Sequence, residues 1–188
     1  MKLSRILLVL GVLLGLPSVW ETLAFSWDPT FQAPALRYMN STNTDRTAHL
    51  LALMKRGDDA FNSRDVAGMD ATHHPDIIAH VMGIAKPIKG RKAHAVMIQQ
   101  MISVFPDIRV HNDPYPIQFG SGDWITVITR ATGTFTGKMT LPNGKVIAPT
   151  GKSFDLDFSM TARWEGDELI EEHVFLDPAL RAQQIGLV

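Results

Sequence analysis

The spacing of apolar positions changes partway along the chain. Between residues 45 and about 62, Leu50, Leu51, Met54 and Phe61 fall roughly on one stripe, with Lys55, Arg56, Asp58 and Asp59 off it. That is the 3.6-residue period of a helix with one covered side, and Thr44-Asp45 supplies side chains that can cap it. Residues 64–72 predict a second, shorter helix that stops before His73-His74-Pro75-Asp76, which reads as a solvated loop. The β-branched run 77–82 predicts a strand. Residues 90–105 predict a third helix with Ala93, Val96, Met97, Met101, Ile102 and Phe105 as its apolar face, ended by Pro106.

From residue 108 onward the period is two. Residues 108–119 predict a strand interrupted by Pro114 and Pro116, hence an edge or a bulge. After the turn Gly120-Ser121-Gly122-Asp123 comes a long strand over 124–135, rich in Ile, Val and Thr. Pro142-Asn143-Gly144 marks a hairpin within 138–147. Residues 153–164 alternate cleanly. Phe154, Leu156, Phe158, Met160 and Ala162 take one side, and Asp155, Asp157, Ser159, Thr161 and Arg163 the other. A last strand is predicted over 168–176 and a short helix over 178–184. Helices first and antiparallel strands afterwards make an α+β domain, with helices segregated to one face of a sheet. No Gly-rich phosphate loop and no internal repeat occurs, which argues against the nucleotide-binding α/β folds.

The first 24 residues do not fit this domain. Lys2 and Arg5 precede an apolar run over 6–16, Pro17 breaks it, and Thr22-Leu23-Ala24 offers small residues for cleavage. This is the layout of a secretory signal, so the chain is expected to be exported, to a periplasm or the extracellular space. If the segment is retained, residues 6–20 are a membrane anchor, and only then is a membrane a partner. Residues 25–44, with Pro29 and Pro34, read as a linker or extended arm, leaving 45–188 as the domain.

Charge and composition narrow the chemistry. Eighteen Lys and Arg against 19 Asp and Glu give a formal net charge of −1, without the basic footprint of a nucleic-acid partner. The chain has no cysteine, which excludes disulfides, a thiolate nucleophile and an iron–sulfur cluster. There is no Gly-x-Ser-x-Gly elbow. Histidines and cysteines show no H-x-x-x-H, H-x-H or C-x-x-C spacing, so no metal site is read. On the last strand the period of two puts Glu171, His173, Phe175 and Asp177 on one face and Ile170, Glu172, Val174 and Leu176 on the other. A carboxylate and an imidazole on a covered face would be an acid/base pair, whereas on an open face they would be solvated; the period alone leaves both readings open. His80, in phase with Ile78 and Met82, reads as a hydrogen-bonded core histidine, and His94 and His111 as exposed.

From about Thr47 to Gly186 the chain resembles the SnoaL-like polyketide cyclases, or ester cyclase-like proteins, of the cone-shaped α+β barrel superfamily of nuclear transport factor two and scytalone dehydratase. The resemblance is carried by Ala60-Phe61-Asn62 with Asp65, Pro75-Asp76 followed by His80, and Gly90-Arg91 opening a helix that ends Phe105-Pro106-Asp107. It continues with Asp123, Gly133-Thr134-Phe135-Thr136-Gly137, Pro149-Thr150-Gly151-Lys152, Arg163, Glu171, Asp177 and Gln184-Ile185-Gly186. It implies a curved antiparallel sheet wrapped around three N-terminal helices and enclosing a pocket, with the Glu171, His173 and Asp177 face inward.

The resemblance further implies acid/base chemistry without metal or cofactor on a small hydrophobic carbonyl compound, of cyclase, isomerase or lyase type. Asp177 is then the acid/base, and His173 either shares its proton or polarises the enolate oxygen, with His80, Glu171, Phe135, Phe158 and Met160 lining the ligand site. Members are often homodimers through the outer sheet face. Phe135 stands where the family often has His, and His173 where it often has Trp, which points to a substrate other than the family's model polyketide. Because many superfamily members only bind ligands, the alternative is a non-catalytic binding or accessory protein on the same fold.

Overall fold

The computed structural model describes residues 41–141 and 143–188. The expected signal segment and most of the expected arm lie outside them. Three helices with a short strand pair come first: α1 (Ser41–Ser63), α2 (Val66–Asp70), β1 (His73–Val81), β2 (Ile88–Lys89) and α3 (Arg91–Val104). The strands follow: β3 (Arg109–Val110), β4 (Ile117–Ser121), β5 (Trp124–Thr134), β6 (Met139–Thr140), β7 (Val146–Ile147), β8 (Ser153–Glu165) and β9 (Glu168–Phe175), with α4 (Pro178–Gln184) last. The α+β class and the order of elements agree with the sequence reading. α1 begins at Ser41, inside the stretch expected to be arm, and runs through Thr44 and Asp45 rather than being capped by them.

The main sheet is ordered β2-β1-β9-β8-β5-β3, with β4 also on β5. Every pairing is antiparallel except β1 with β9, which is parallel, so the expected all-antiparallel sheet is a mixed one. The proline-broken segment divides as its composition requires. Pro114 and Pro116 cannot donate to a ladder, and β3 and β4 flank them.

β8 alternates as its sequence does. Phe154, Leu156, Phe158, Met160, Ala162 and Trp164 are buried against the helices, and β5 matches them with Ile125, Val127, Thr129 and Ala131. α1 contributes Leu50, Leu53, Met54, Asp58 and Phe61, all buried. These are spaced three and four apart, so Asp58 sits on the apolar stripe rather than off it. α3 is turned from its expected face. Val96 and Ala93 are exposed, and the buried residue of the helix is His94, with Ile98 and Met101 following on the same side. The expected exposure of His94 is therefore corrected: it lies four before Ile98 and seven before Met101, on the covered stripe.

One irregularity decides which charges enter the interior. Arg163 pairs with Glu171 and Trp164 with Leu169, so Ile170 is an extra residue in β9. This β-bulge puts Leu169 and Glu172, three apart, on the same face. Glu172 is 4% exposed and points inward with Val174; Glu171 and His173 go to the outer face, where they pair with Arg163 and Thr161. The inward orientation implied for Glu171, His173 and Asp177 is thus reversed.

Candidate active site

Between the helices and the inner face of the sheet lies a cavity of about 440 Å³. Its walls are largely apolar: Leu53, Met54, Phe61, Met97, Ile98, Met101, Phe105, Phe154, Phe158, Met160 and Leu169 among them. Titratable side chains break this lining, among them Asp58 from α1, His73 from β1, His94 from α3 and Glu172 from β9, with Asp70 and Arg181 also in it. A site of apolar walls and a few convergent polar groups is the usual form of a small-molecule pocket.

Asp58 is held by Tyr115, whose hydroxyl donates to Asp58 Oδ2 at 2.6 Å. Burial raises the Asp58 carboxyl from its ordinary 3.8 to about 7. The Tyr115 hydrogen bond works against that rise, and the negative charges of Glu172 and Asp59 add to it. Near neutral pH the group therefore exchanges between acid and base forms, as a proton-transfer catalyst must.

His94 Nε2 and Glu172 Oε1 are 2.9 Å apart, and both side chains are buried. Burial alone would raise the Glu172 carboxyl, but the hydrogen bond and charge of His94, followed by the charge of His73, hold it below its ordinary value. Glu172 is thus a buried carboxylate hydrogen-bonded to His94. The His73 ring lies 4.7 Å from that of His94. Its Nδ1 is 2.6 Å from the Met69 carbonyl, which only accepts, so Nδ1 carries the proton and Nε2 is a bare lone pair. Burial lowers the His73 imidazole, with Glu172 acting in the opposite direction. Trp164, also in the lining, leaves its Nε1 as the one buried side-chain polar atom without a partner among the described residues.

The residues singled out from sequence divide between the two faces. Phe158 and Met160 line the cavity. Phe135 is fully buried against Phe105 and is not part of the lining. His80, Glu171 and His173 stand half-exposed on the outer face, so His80 is not a core histidine. Asp177 is exposed, and its Oδ1 accepts from the backbone N–H groups of Ala179 and Leu180, capping α4. It does not touch the cavity. Asp177→Ala is accordingly expected to lower stability by ~1 kcal/mol in urea unfolding, the usual size of a lost cap, and to leave any turnover unchanged.

His73-His74, expected in a loop, opens β1. Asp58, His94 and Glu172 were missed, although helical spacing carries a signal for the first two.

The described residues also bring together two trios of metal-ligating side chains, His73–His94–Glu172 inside and His80–Glu171–His173 outside. In each, one donor atom per residue lies within 4.8 Å of the others. The expectation of no such set rested on spacing along the chain, which does not see neighbours across a sheet. In the inner trio His94 and Glu172 already hydrogen-bond each other, and His73 bonds the Met69 carbonyl through Nδ1.

A helical cover over a mixed sheet, with a cavity between them carrying buried acids and histidines, places the protein among the α+β folds related to nuclear transport factor two. The chain belongs to the SnoaL-like polyketide cyclase family, whose model matches residues 51–185. Solved structures agree on the fold. A proposed SnoaL-like polyketide cyclase from Jannaschia sp. CCS1 is similar with a TM-score of 0.64 at 17% identity, covering 79% of this chain and 96% of its own. IdmH, a proposed polyketide cyclase from Streptomyces antibioticus, gives 0.58 at 21% identity over 76% and 97%. AclR from Streptomyces galilaeus, described as a proposed hydroxylase, gives 0.62 at 17% identity over 76% and 98%. No curated protein sequence matches the chain.

Proposed function

We propose that the protein is an acid/base catalyst acting on a small, largely hydrophobic carbonyl compound, of the cyclase or isomerase type. The observation that carries this reading is Asp58: a cavity-lining carboxyl whose pKa is raised to about 7 and which is held in place by Tyr115. In the base form Asp58 removes a proton from the carbon next to a substrate carbonyl. The electron pair passes to the carbonyl oxygen as an enolate. His94, fixed through Nε2 by Glu172, lines the same cavity and is the group that polarises that oxygen. Collapse of the enolate onto a second carbonyl of the same molecule closes a ring, and reprotonation at another carbon isomerises it. In either case the proton held by Asp58 is returned, so no redox equivalent is consumed. The apolar walls keep water from quenching the enolate.

The test is proton exchange in D₂O, which needs no knowledge of the natural product. Apolar ketones and β-dicarbonyl compounds are incubated with the full chain, and loss of the α-proton signal is followed by NMR. Catalysed exchange that rises with pH through about 7 supports the reading; no exchange above buffer across the panel, despite measurable binding, favours the binding-protein alternative.

Export is a second part of the proposal, resting on the layout of residues 1–24. Intact mass of protein recovered from its host is expected to begin near Phe25. A full-length chain confined to the soluble cytoplasm would overturn it.

A further inference from the structure

The outer face of the sheet carries a cluster that the proposed reaction does not use. β1 and β9 run parallel with His80 directly opposite His173, and Glu171 lies two residues before His173 on the same face. The two imidazole rings are stacked, 4.4 Å apart and 3° from parallel. Both Nε2 atoms approach the same carboxylate oxygen, Glu171 Oε1, that of His173 at 3.1 Å and that of His80 at 3.9 Å. The other oxygen, Oε2, accepts from Arg163 Nε at 3.1 Å. All seven histidines of the chain lie within the described residues, and these are the two that share a strand pair in register.

We propose that His80, Glu171 and His173 form a binding site for a divalent transition-metal ion of the zinc, nickel or copper type. The donor set is two imidazoles and one carboxylate, which suits these ions rather than calcium or magnesium. Zinc bonds to such ligands of ~2.0–2.1 Å at tetrahedral angles place neighbouring donors ~3.3 Å apart. The Oε1 separations of 3.1 and 3.9 Å bracket that value.

Half-exposed side chains can close the remaining difference by small rotations that also turn the stacked rings toward a common ion. The Arg163 hydrogen bond orients the carboxylate and leaves Oε1 as its ligating atom, as outer partners of metal ligands commonly do. Solvent completes the coordination. A bound ion would clip β1 to β9, the one parallel pair in the sheet. The site is separate from the cavity, so its success or failure is independent of the proposed reaction.

The test uses the purified full-length chain after exhaustive chelation. Zinc titration followed by calorimetry is expected to show saturable one-to-one binding, weakened at least about tenfold in His80→Ala and in His173→Ala, the range seen when metal sites lose supporting groups. Glu171→Gln, which keeps the shape of the side chain, should also weaken it. Copper added to the wild-type chain should give a paramagnetic resonance spectrum with two coordinated nitrogens, falling to one in His80→Ala. Thermal melts of each variant by circular dichroism establish that it is folded. If a histidine variant does not fold, the wild-type copper spectrum and Glu171→Gln decide. No saturable zinc binding, or affinity unchanged in both histidine variants, would overturn the site. Loss of binding in His94→Gln alone would do so as well, since it would place the ion in the cavity.

Discussion

Asp58→Asn is expected to slow catalysed α-proton exchange by ~10²–10⁴-fold, the usual contribution of a positioned general base. The amide keeps the side chain's volume and can still accept from Tyr115, but it cannot take up a proton. The same substitution should stabilise the fold at alkaline pH. Asp58 has an ordinary pKa of 3.8 and a folded one of about 7. The folded state therefore binds the proton more tightly, and the stability this provides is full below 3.8 and lost as pH rises to about 7. The interval between those values, at about 1.36 kcal/mol per decade, sets a ceiling of about 4 kcal/mol. The difference in urea stability between wild type and Asp58→Asn should be smallest near pH 4, grow as pH rises to about 7 and stay level above it, with the variant the more stable of the two. Parallel curves, together with undiminished exchange, would remove Asp58 from the mechanism. An active-site group that destabilises its own fold is the expected trade-off between stability and activity.

Glu172→Ala is expected to cost ~3–5 kcal/mol, because it leaves His94 buried without its carboxylate. Glu172→Leu fills the space and spares part of that loss, while still removing the group that orients His94. Here the dependence on pH has the opposite sign. The Glu172 carboxyl is held below its ordinary 4.5. Its contribution is present above 4.5 and is lost as pH falls through the lower, folded value. The difference in stability between wild type and Glu172→Leu should therefore shrink below pH 4.5. A loss under ~1 kcal/mol for Glu172→Ala at pH 7 would mean that the pair is solvated rather than buried.

The sequence showed the fold more clearly than the site. β8 declares its faces because each inward position from Phe154 to Ala162 is apolar and each outward one polar, and the β6–β7 hairpin is marked by Asn143-Gly144. β9 hides its faces because both of its parities mix acids with apolar residues. The bulge at Ile170 then changes which of Glu171 and Glu172 turns inward, and no local signal announces it. Asp58 was set aside for its charge, although Met54 four before it and Phe61 three after it share its stripe. His94 was obscured in the same way by a one-residue turn of the apparent apolar face of α3. The hydrophobic pattern shows where a helix is covered; a polar residue on the covered side has to be found by position, against its own polarity.

The place of β9 in the sheet has a consequence for synthesis. It lies between β1 and β8, yet among these strands it is the last to be made. Until β9 has left the ribosome, β1 and β8 each present an unpaired edge, and the cavity lacks the wall that carries Glu172. The parallel pair joins segments as far apart in the chain as His80 and His173, so it can close only after β9 has been made. A nascent or C-terminally truncated chain therefore exposes two open strand edges, a substrate for chaperones and a template for aggregation.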